Sequence, residues 1–431
     1  MRTKKALINS SVNIISFFII FLPNLLLRKI FLDKLGSDML GLNSLYSNII
    51  GWLSVVELGV GIAIVYSLYK PYVDNDKKKI RAYIRFFGWF YRRVGMIILI
   101  SGILITPFLS YFIKGEINIK IASIGFILFL LNSFITYMFS NRLCILNVAQ
   151  ESYKITIGTT VSKLLIILLQ LLMFKIYPNF IFFILIQLII NCIYYIIINI
   201  YIIIKYPWLN KGKEELEYNE RRKLIKDIKA IFMHKISVLV VYGTDSLVIS
   251  KFIGLKALTN YTNYQIVISA LQAVIKQGLD GLTSSIGNMI ANDDKNQSYE
   301  IHKKIFFINF WVVSFITISL YNTLKQFIAL WVGPQYFLDN FTFVIILINV
   351  YFGSMRESVE QFQTASGNFY QDRYGAILEA LVNLIVSIIL AKHIGIAGVF
   401  IGTLISNLTV IFWTKPYVLY KYVFNIHFII T

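Results

Sequence analysis

Residues 36–77 read GSDMLGLNSLYSNIIGWLSVVELGVGIAIVYSLYKPYVDNDK. A long apolar segment, about residues 40–68, holds a single carboxylate, Glu57, which opens the run Glu57-Leu58-Gly59-Val60-Gly61-Ile62-Ala63. The cluster Asp74-Asn75-Asp76-Lys77 closes the stretch. A second stretch, residues 254–295, reads GLKALTNYTNYQIVISALQAVIKQGLDGLTSSIGNMIANDDK. Gly36 and Gly254, Tyr46 and Tyr264, and Lys77 and Lys295 are each 218 positions apart, and a slip of one residue also aligns Gly59 with Gly278. The pairing predicts two copies of one membrane unit with a cleft between them.

The repeat continues beyond this stretch. Gly115 and Gly333 are 218 apart, while Asn132 and Asn349, Tyr153 and Tyr370, Gly158 and Gly375, Leu164 and Leu381, and Lys175 and Lys392 are 217 apart. Leucine pairs carry little weight in apolar sequence; glycine, tyrosine, asparagine and the acid–base cluster carry the argument. Each copy holds six apolar spans. An even number makes both copies enter the membrane in the same sense, which is a parallel repeat about an axis along the membrane normal.

With 431 residues, 57% of them hydrophobic and 15% charged, and a mean hydropathy of +0.69, the chain lies outside the soluble range. Apolar runs of the ~20 residues that cross a bilayer recur near 8–27, 40–68, 94–113, 119–141, 155–176, 179–204, 231–252, 260–290, 305–324, 341–364, 375–392 and 396–414. Backbone polar groups in lipid must be satisfied internally, and runs without period-two alternation do this as helices. The expected fold is an all-α integral membrane protein of about twelve transmembrane helices in two parallel six-helix repeats. Its expected parts are an N-lobe (1–204), a basic cytoplasmic linker (205–230) and a C-lobe (231–431).

The formal charge of +19 is read as basic loops held on the cytoplasmic side, not as a nucleic-acid surface. Lys70, Lys77, Lys78, Lys79, Arg81, Arg85, Arg92 and Arg93 crowd the connection after the second span, and Lys205 to Lys229 the one after the sixth. This bias places both termini in the cytoplasm of a multi-pass protein. The start, MRTKK before an apolar run, reads as an uncleaved first span. In the connector 77–93, Ile80, Tyr83, Ile84, Phe87 and Tyr91 recur at helical spacing opposite Lys78, Arg81, Arg85 and Arg92. That pattern predicts a helix lying in the headgroup layer against membrane lipids.

Ionisable residues at membrane depth are costly and mark cavities or partners. The cavity candidates are Arg28, Glu57, Arg142, Lys163, Lys235, Lys276 and Arg356; the candidates for ion coupling are Glu57, Asp245, Asp280 and Glu379. The one-residue slip makes Glu57 and Lys276 equivalent, an acid and a base able to pair across the repeat axis. Arg28, Lys235, Arg142 and Glu360 also fit an interfacial, snorkelling role. No zinc-protease, serine-hydrolase or P-loop motif is present. Cys144 and Cys192 have no paired spacing, and His234, His302, His393 and His427 lie in different segments. The sequence therefore calls for no catalytic residue, no cofactor and no metal site.

The segment RKIFLDKLGSDMLGLNSLYSNIIGWLSVVELGVGIAIVYSLYKPYVDNDKKKI resembles the first two helices and following loop of Wzx-type polysaccharide repeat-unit flippases. These belong to the MOP superfamily, with the MATE drug exporters and the lipid II flippases. The segments Ala149–Gly158 and Ser366–Gly375, and LWVG at Gly333, are similar too. The resemblance implies a V-shaped, two-lobed transporter of the bacterial cytoplasmic membrane, and no enzyme. Its cargo would be an undecaprenyl-diphosphate-linked oligosaccharide, moved to the outer leaflet by alternating access for capsule or related surface polysaccharide. A polysaccharide polymerase and chain-length machinery would be its partners, and lumen arginines and lysines would hold the diphosphate. A MATE-type exporter of drugs or small molecules, and a membrane-embedded polymerase or transferase, remain as alternatives.

Overall fold

The computed structural model describes residues 2–54, 60–114, 117–212, 214–222, 224–225, 228, 243–280, 286, 289–290, 295–366 and 373–426. Every regular element among them is helical. The principal helices are α1 (Arg2–Leu53), α2 (Val60–Val73), α3 (Lys77–Ile105), α4 (Ile119–Phe139), α5 (Ser152–Ile176) and α6 (Phe180–Lys205). They continue with α7 (Leu255–Asp280), α8 (Lys295–Trp331), α9 (Asn340–Ser366), α10 (Arg373–Ile394) and α11 (Ile396–Ser406). Nine helical stretches among the described residues are long and apolar enough to cross a membrane, so this is a multi-pass membrane protein. The chain divides into two compact units, Met1–Ile236 and Ser237–Thr431.

The opening stretch departs from the expected pair of spans joined by a loop. Residues 2–35 and 37–53 form one kinked helix, α1, with its break at Gly36 (φ 82°, ψ 173°). A residue with a side chain is strained at such a φ, so the glycine redirects the helix without any loop. Gly254, its counterpart in the repeat, has φ 130° and stands directly before α7. The two copies then bury the same register. Tyr46 and Tyr264 are both fully buried, and the pairs Leu40 and Leu258 and Ile50 and Ile268 are buried with them. Each tyrosine ring meets a phenylalanine from the next equivalent helix: Tyr46 meets Phe126 at 5.4 Å and Tyr264 meets Phe343 at 5.7 Å. Each hydroxyl also finds backbone. Tyr46 donates to Ala122 O, and Tyr264 accepts from Leu338 N.

Side-chain caps set several helix starts. Asp76 accepts from Lys79 N at 3.0 Å to begin α3, Asn118 from Lys120 N to begin α4, and Asn179 from Ile181 N and Phe182 N to begin α6. Each satisfies donors that a helix start leaves unpaired. The apolar stripe of 77–93 is present: Ile80, Tyr83, Ile84, Phe87 and Tyr91 are all buried. The expectation that these residues lie along the headgroups is corrected. They are the first turns of α3, which runs unbroken to Ile105. Their stripe faces protein, because α1, α2 and α4 cover it.

The polar linker belongs to the first unit. Arg81 holds Glu214 through Nε at 2.8 Å and a second, shorter bond from Nη2, and Lys79 pairs with Glu220 at 2.9 Å. Glu151 takes Lys154 at 2.8 Å and also Lys205. The connections after α2, after α4 and after α6 therefore meet at one end of this unit. These are three connections that the charge bias assigns to one membrane side.

In the second unit, α10 and α11 approach closely along Gly398 and Gly402. A Cβ at Gly402 would lie 2.6 Å from the backbone nitrogen of Ser387, and one at Gly398 2.7 Å from that of Ala391. This four-residue glycine spacing lets helices pack backbone to backbone in a membrane. The approach is sealed by Ser387 Oγ donating to Val399 O at 2.9 Å.

Candidate functional site

Two polar clusters lie within the helices of the second unit, where each buried charge needs a physical reason. The first centres on Arg356 of α9. Its guanidinium contacts Glu360 one turn on (Nε to Oε1, 2.9 Å), Glu379 of α10 (3.4 Å) and the side-chain oxygen of Asn407 (2.9 Å). Lys415 reaches Glu360 at 3.4 Å, and Lys276 is near enough to act on Glu360 electrostatically. Asn407 opens a π-helical turn, Asn407–Ile411, that follows α11. Wide turns of this kind aim a side chain off the regular helical register and recur at functional sites. Arg356, Glu379 and Lys415 side chains are 15%, 7% and 16% exposed. Two acids and two bases so placed balance each other, whereas any one alone would be a costly buried charge.

The second cluster is built on Asp245, 7% exposed. Its Oδ2 accepts from Thr403 Oγ at 3.4 Å, and that hydroxyl accepts from Asn383 Nδ2 at 2.9 Å. Asp245 Oδ1 and Asn383 Oδ1 have no hydrogen-bond partner among the described residues. Buried polar atoms left unpaired call for an explanation. The Thr403 hydroxyl links the carboxylate to the amide, and the unpaired Asp245 oxygen is suited either to a small hard cation or to a proton. The close packing of α10 on α11 holds Asn383 and Thr403 in place.

The sequence-derived candidates divide sharply. Arg356 and Glu379 are brought together, and Asp245 is found with buried polar partners. Lys276 is exposed near the end of α7. Glu57 and Lys235, and with Glu57 its pairing to Lys276, lie outside the described residues, and Asp280 is described only as the last residue of α7. Arg28 on α1 and Arg142 in the turn Ser140–Leu143 are half-buried.

Lys163 stands apart. It lies roughly 17 Å along α5 from the first residue and 20 Å from the last, at 1.5 Å per residue. The lipid-suited stripe of α5 is Val161, Leu165, Leu168 and Leu172, all exposed. Lys163 points away from that stripe, on the side that carries Thr156 and Thr159, and it too is exposed, whereas Gln170 further along that side is buried and donates to Phe183 O of α6. It therefore presents an ammonium at mid-helix on a polar face.

Asn383, Thr403, Asn407 and Lys415 do not stand out in the sequence. Asn383 and Thr403 are single polar residues in apolar runs, and Lys415 falls just past the expected end of the last span.

No protein-family model matches the chain, and no curated protein does. Solved structures do match, over nearly the whole chain. An inward-facing multidrug-resistance MATE family transporter of the MOP superfamily superposes with a TM-score of 0.75 at 14% identity, covering 93% of each chain. The lipid II flippase MurJ in an inward closed conformation gives 0.70 at 15% identity, covering 94% of this chain and 86% of its own. A MATE transporter in a bent conformation gives 0.63 at 14%, covering 97% and 94%. The chain has the MATE and MurJ fold. The twelve-helix, two-repeat architecture read from the sequence agrees with that fold.

Proposed function

We propose that this protein is a flippase. It carries undecaprenyl-diphosphate-linked oligosaccharide repeat units from the inner to the outer leaflet of the bacterial cytoplasmic membrane, for capsule or another surface polysaccharide. The observation that carries the reading is Lys163, an exposed ammonium at mid-helix on the polar face of α5. Such a charge is costly against lipid and useful against an anionic cargo. The likeness to a lipid II flippase supports a lipid-linked cargo, and the resemblance of residues 28–80 to polysaccharide flippases supports its class. Asp245, with Asn383 and Thr403, is the proposed coupling site, where a proton or small cation binds and leaves in each cycle. The Arg356–Glu360–Glu379–Lys415 network is the proposed charge-balanced element that holds α9, α10 and the final helical segment together.

The likeness to MATE transporters favours a second reading, an ion-coupled exporter of drugs or small molecules. Deleting the gene separates the two. A flippase leaves lipid-linked repeat units on the cytoplasmic leaflet with loss of surface polysaccharide. Drug sensitivity with intact surface glycan supports the exporter, and unpolymerised units on the outer face support a polymerase. Lys163→Ala should abolish export and Lys163→Arg should retain it, with protein levels unchanged.

A further inference from the structure

We infer that the first unit carries a binding site for one anionic phospholipid of the cytoplasmic leaflet, formed by Trp89, Arg93 and the C-terminal half of α3 together with Arg221 of the linker. The guanidinium of Arg93 lies 3.9 Å from the centre of the Trp89 ring, and that of Arg221 lies 5.4 Å from the same centre and 5.8 Å from Phe86. The shared ring keeps the two cations within about 9 Å of each other, so that a small movement of the two long side chains lets both meet one phosphate. Among the described residues neither pairs with a carboxylate. Two like charges gathered on one aromatic ring repel each other until an anion joins them.

The apolar part of the site follows along the same helix face. Trp89, Arg93, Ile97, Ile100 and Leu104 recur at four- and three-residue steps, which is one stripe of a helix. Ile97, Ile100 and Leu104 are 49%, 56% and 66% exposed, with Met96 beside them at 52%. From Arg93 to Leu104 the stripe runs ~16 Å, about half of a ~30 Å hydrocarbon core. A lipid with its phosphate at Arg93 and Arg221 lays its acyl chain along this stripe within one leaflet. The basic connections place that leaflet on the cytoplasmic side. The lipid so bound ties the linker to α3, beside the Arg81–Glu214 and Lys79–Glu220 pairs.

The test uses the purified full chain in mild detergent, with phosphatidylglycerol and phosphatidylethanolamine at equal amounts and native mass spectrometry to count retained lipids. No transport assay is needed, so the outcome is independent of the cargo. The expected result is one preferentially retained phosphatidylglycerol. Arg93→Gln and Arg221→Gln should each lower that preference ~5-fold, the effect of about one basic side chain near anionic lipid. Lys303→Gln, a surface lysine in the second unit, should leave it unchanged. Raising the salt should erase the wild-type preference as the charges are screened, a readout that needs no variant. Equal retention of the two lipids by wild type, a preference that survives high salt, or full retention by a double variant that melts like wild type would each overturn the proposal. So would displacement of the lipid by equimolar polyprenyl diphosphate, which would make this a cargo site.

Discussion

Replacing Gly402 by alanine tests how the packing of α10 on α11 serves the Asp245 cluster. The added Cβ would meet Ser387 Oγ well inside contact distance, and would lie 2.6 Å from Ser387 N and 2.8 Å from its Cα. A hydroxyl can rotate away, but backbone cannot. To reach even a tight contact of about 3.4 Å the helices must part by roughly 0.8 Å. The bond from Asn383 to Thr403, 2.9 Å in the native packing, would then stretch to roughly 3.7 Å, past the hydrogen-bond limit. Overpacking of this kind costs about 1–3 kcal/mol. Gly353, in α9, is the internal control. No atom lies within 4 Å of a Cβ there, so Gly353→Ala should be neutral or gain up to about 1 kcal/mol of helix propensity. Thermal unfolding of both variants in one detergent, followed by size-exclusion fluorescence, reads the two signs directly. If Gly402→Ala melts at or above the wild type, the close approach does not constrain these helices and the argument fails.

Arg356→Ala should cost about 3–5 kcal/mol by stranding Glu379, while Glu360 keeps Lys415. Adding Glu379→Gln should recover at least ~1 kcal/mol in a double-mutant cycle of reversible unfolding, and strict additivity would refute the network. Asp245→Asn should leave the fold intact while transport in vesicles loses its response to an imposed ion gradient; a full response would remove Asp245 from coupling. The hydrogen bond and charge of Arg81 hold the Glu214 carboxyl down at about 2. Because that value is below the unfolded one of ~4.3, the pair's contribution is complete above it and is lost as the pH falls towards 2. Hydrogen exchange of residues 207–222, corrected for intrinsic rates, should therefore rise across that window. In Arg81→Gln it should already be high at neutral pH.

The repeat was legible because its marks are residues whose roles do not depend on distant parts of the chain. Gly36 and Gly254 share a backbone conformation, and Tyr46 and Tyr264 share a buried slot against Phe126 and Phe343. Helix boundaries were less so. A glycine between two apolar runs does not say how they join, and only the structure shows that two helical segments meet at Gly36 with no other residue between them. The stripe of 77–93 is legible along the helix but not in space. An amphipathic pattern states that one face is covered, not whether lipid or protein covers it, and here α1, α2 and α4 do so.

The polar clusters show a different limit. Asp245 stands out as a charge in an apolar run, but the hydroxyl that meets it comes from Thr403 and the amide that holds this hydroxyl from Asn383, residues that each read as incidental. What makes them a set is the approach of α10 to α11, and the signal for that approach is Gly398 and Gly402. The glycine spacing thus carries information about a site to which it contributes no atom. In the same way Lys415 reads as a cation at the end of the last span, until the helical path is seen to continue through the segments Phe412–Leu419 and Tyr420–Phe424. That continuation brings Lys415 back to Glu360. Both clusters therefore depend on how the last helices pack. A substitution at the Gly398–Gly402 contact should accordingly weaken ion coupling more than a comparable overpacking of α5 against α6, which holds no residue of the proposed coupling site.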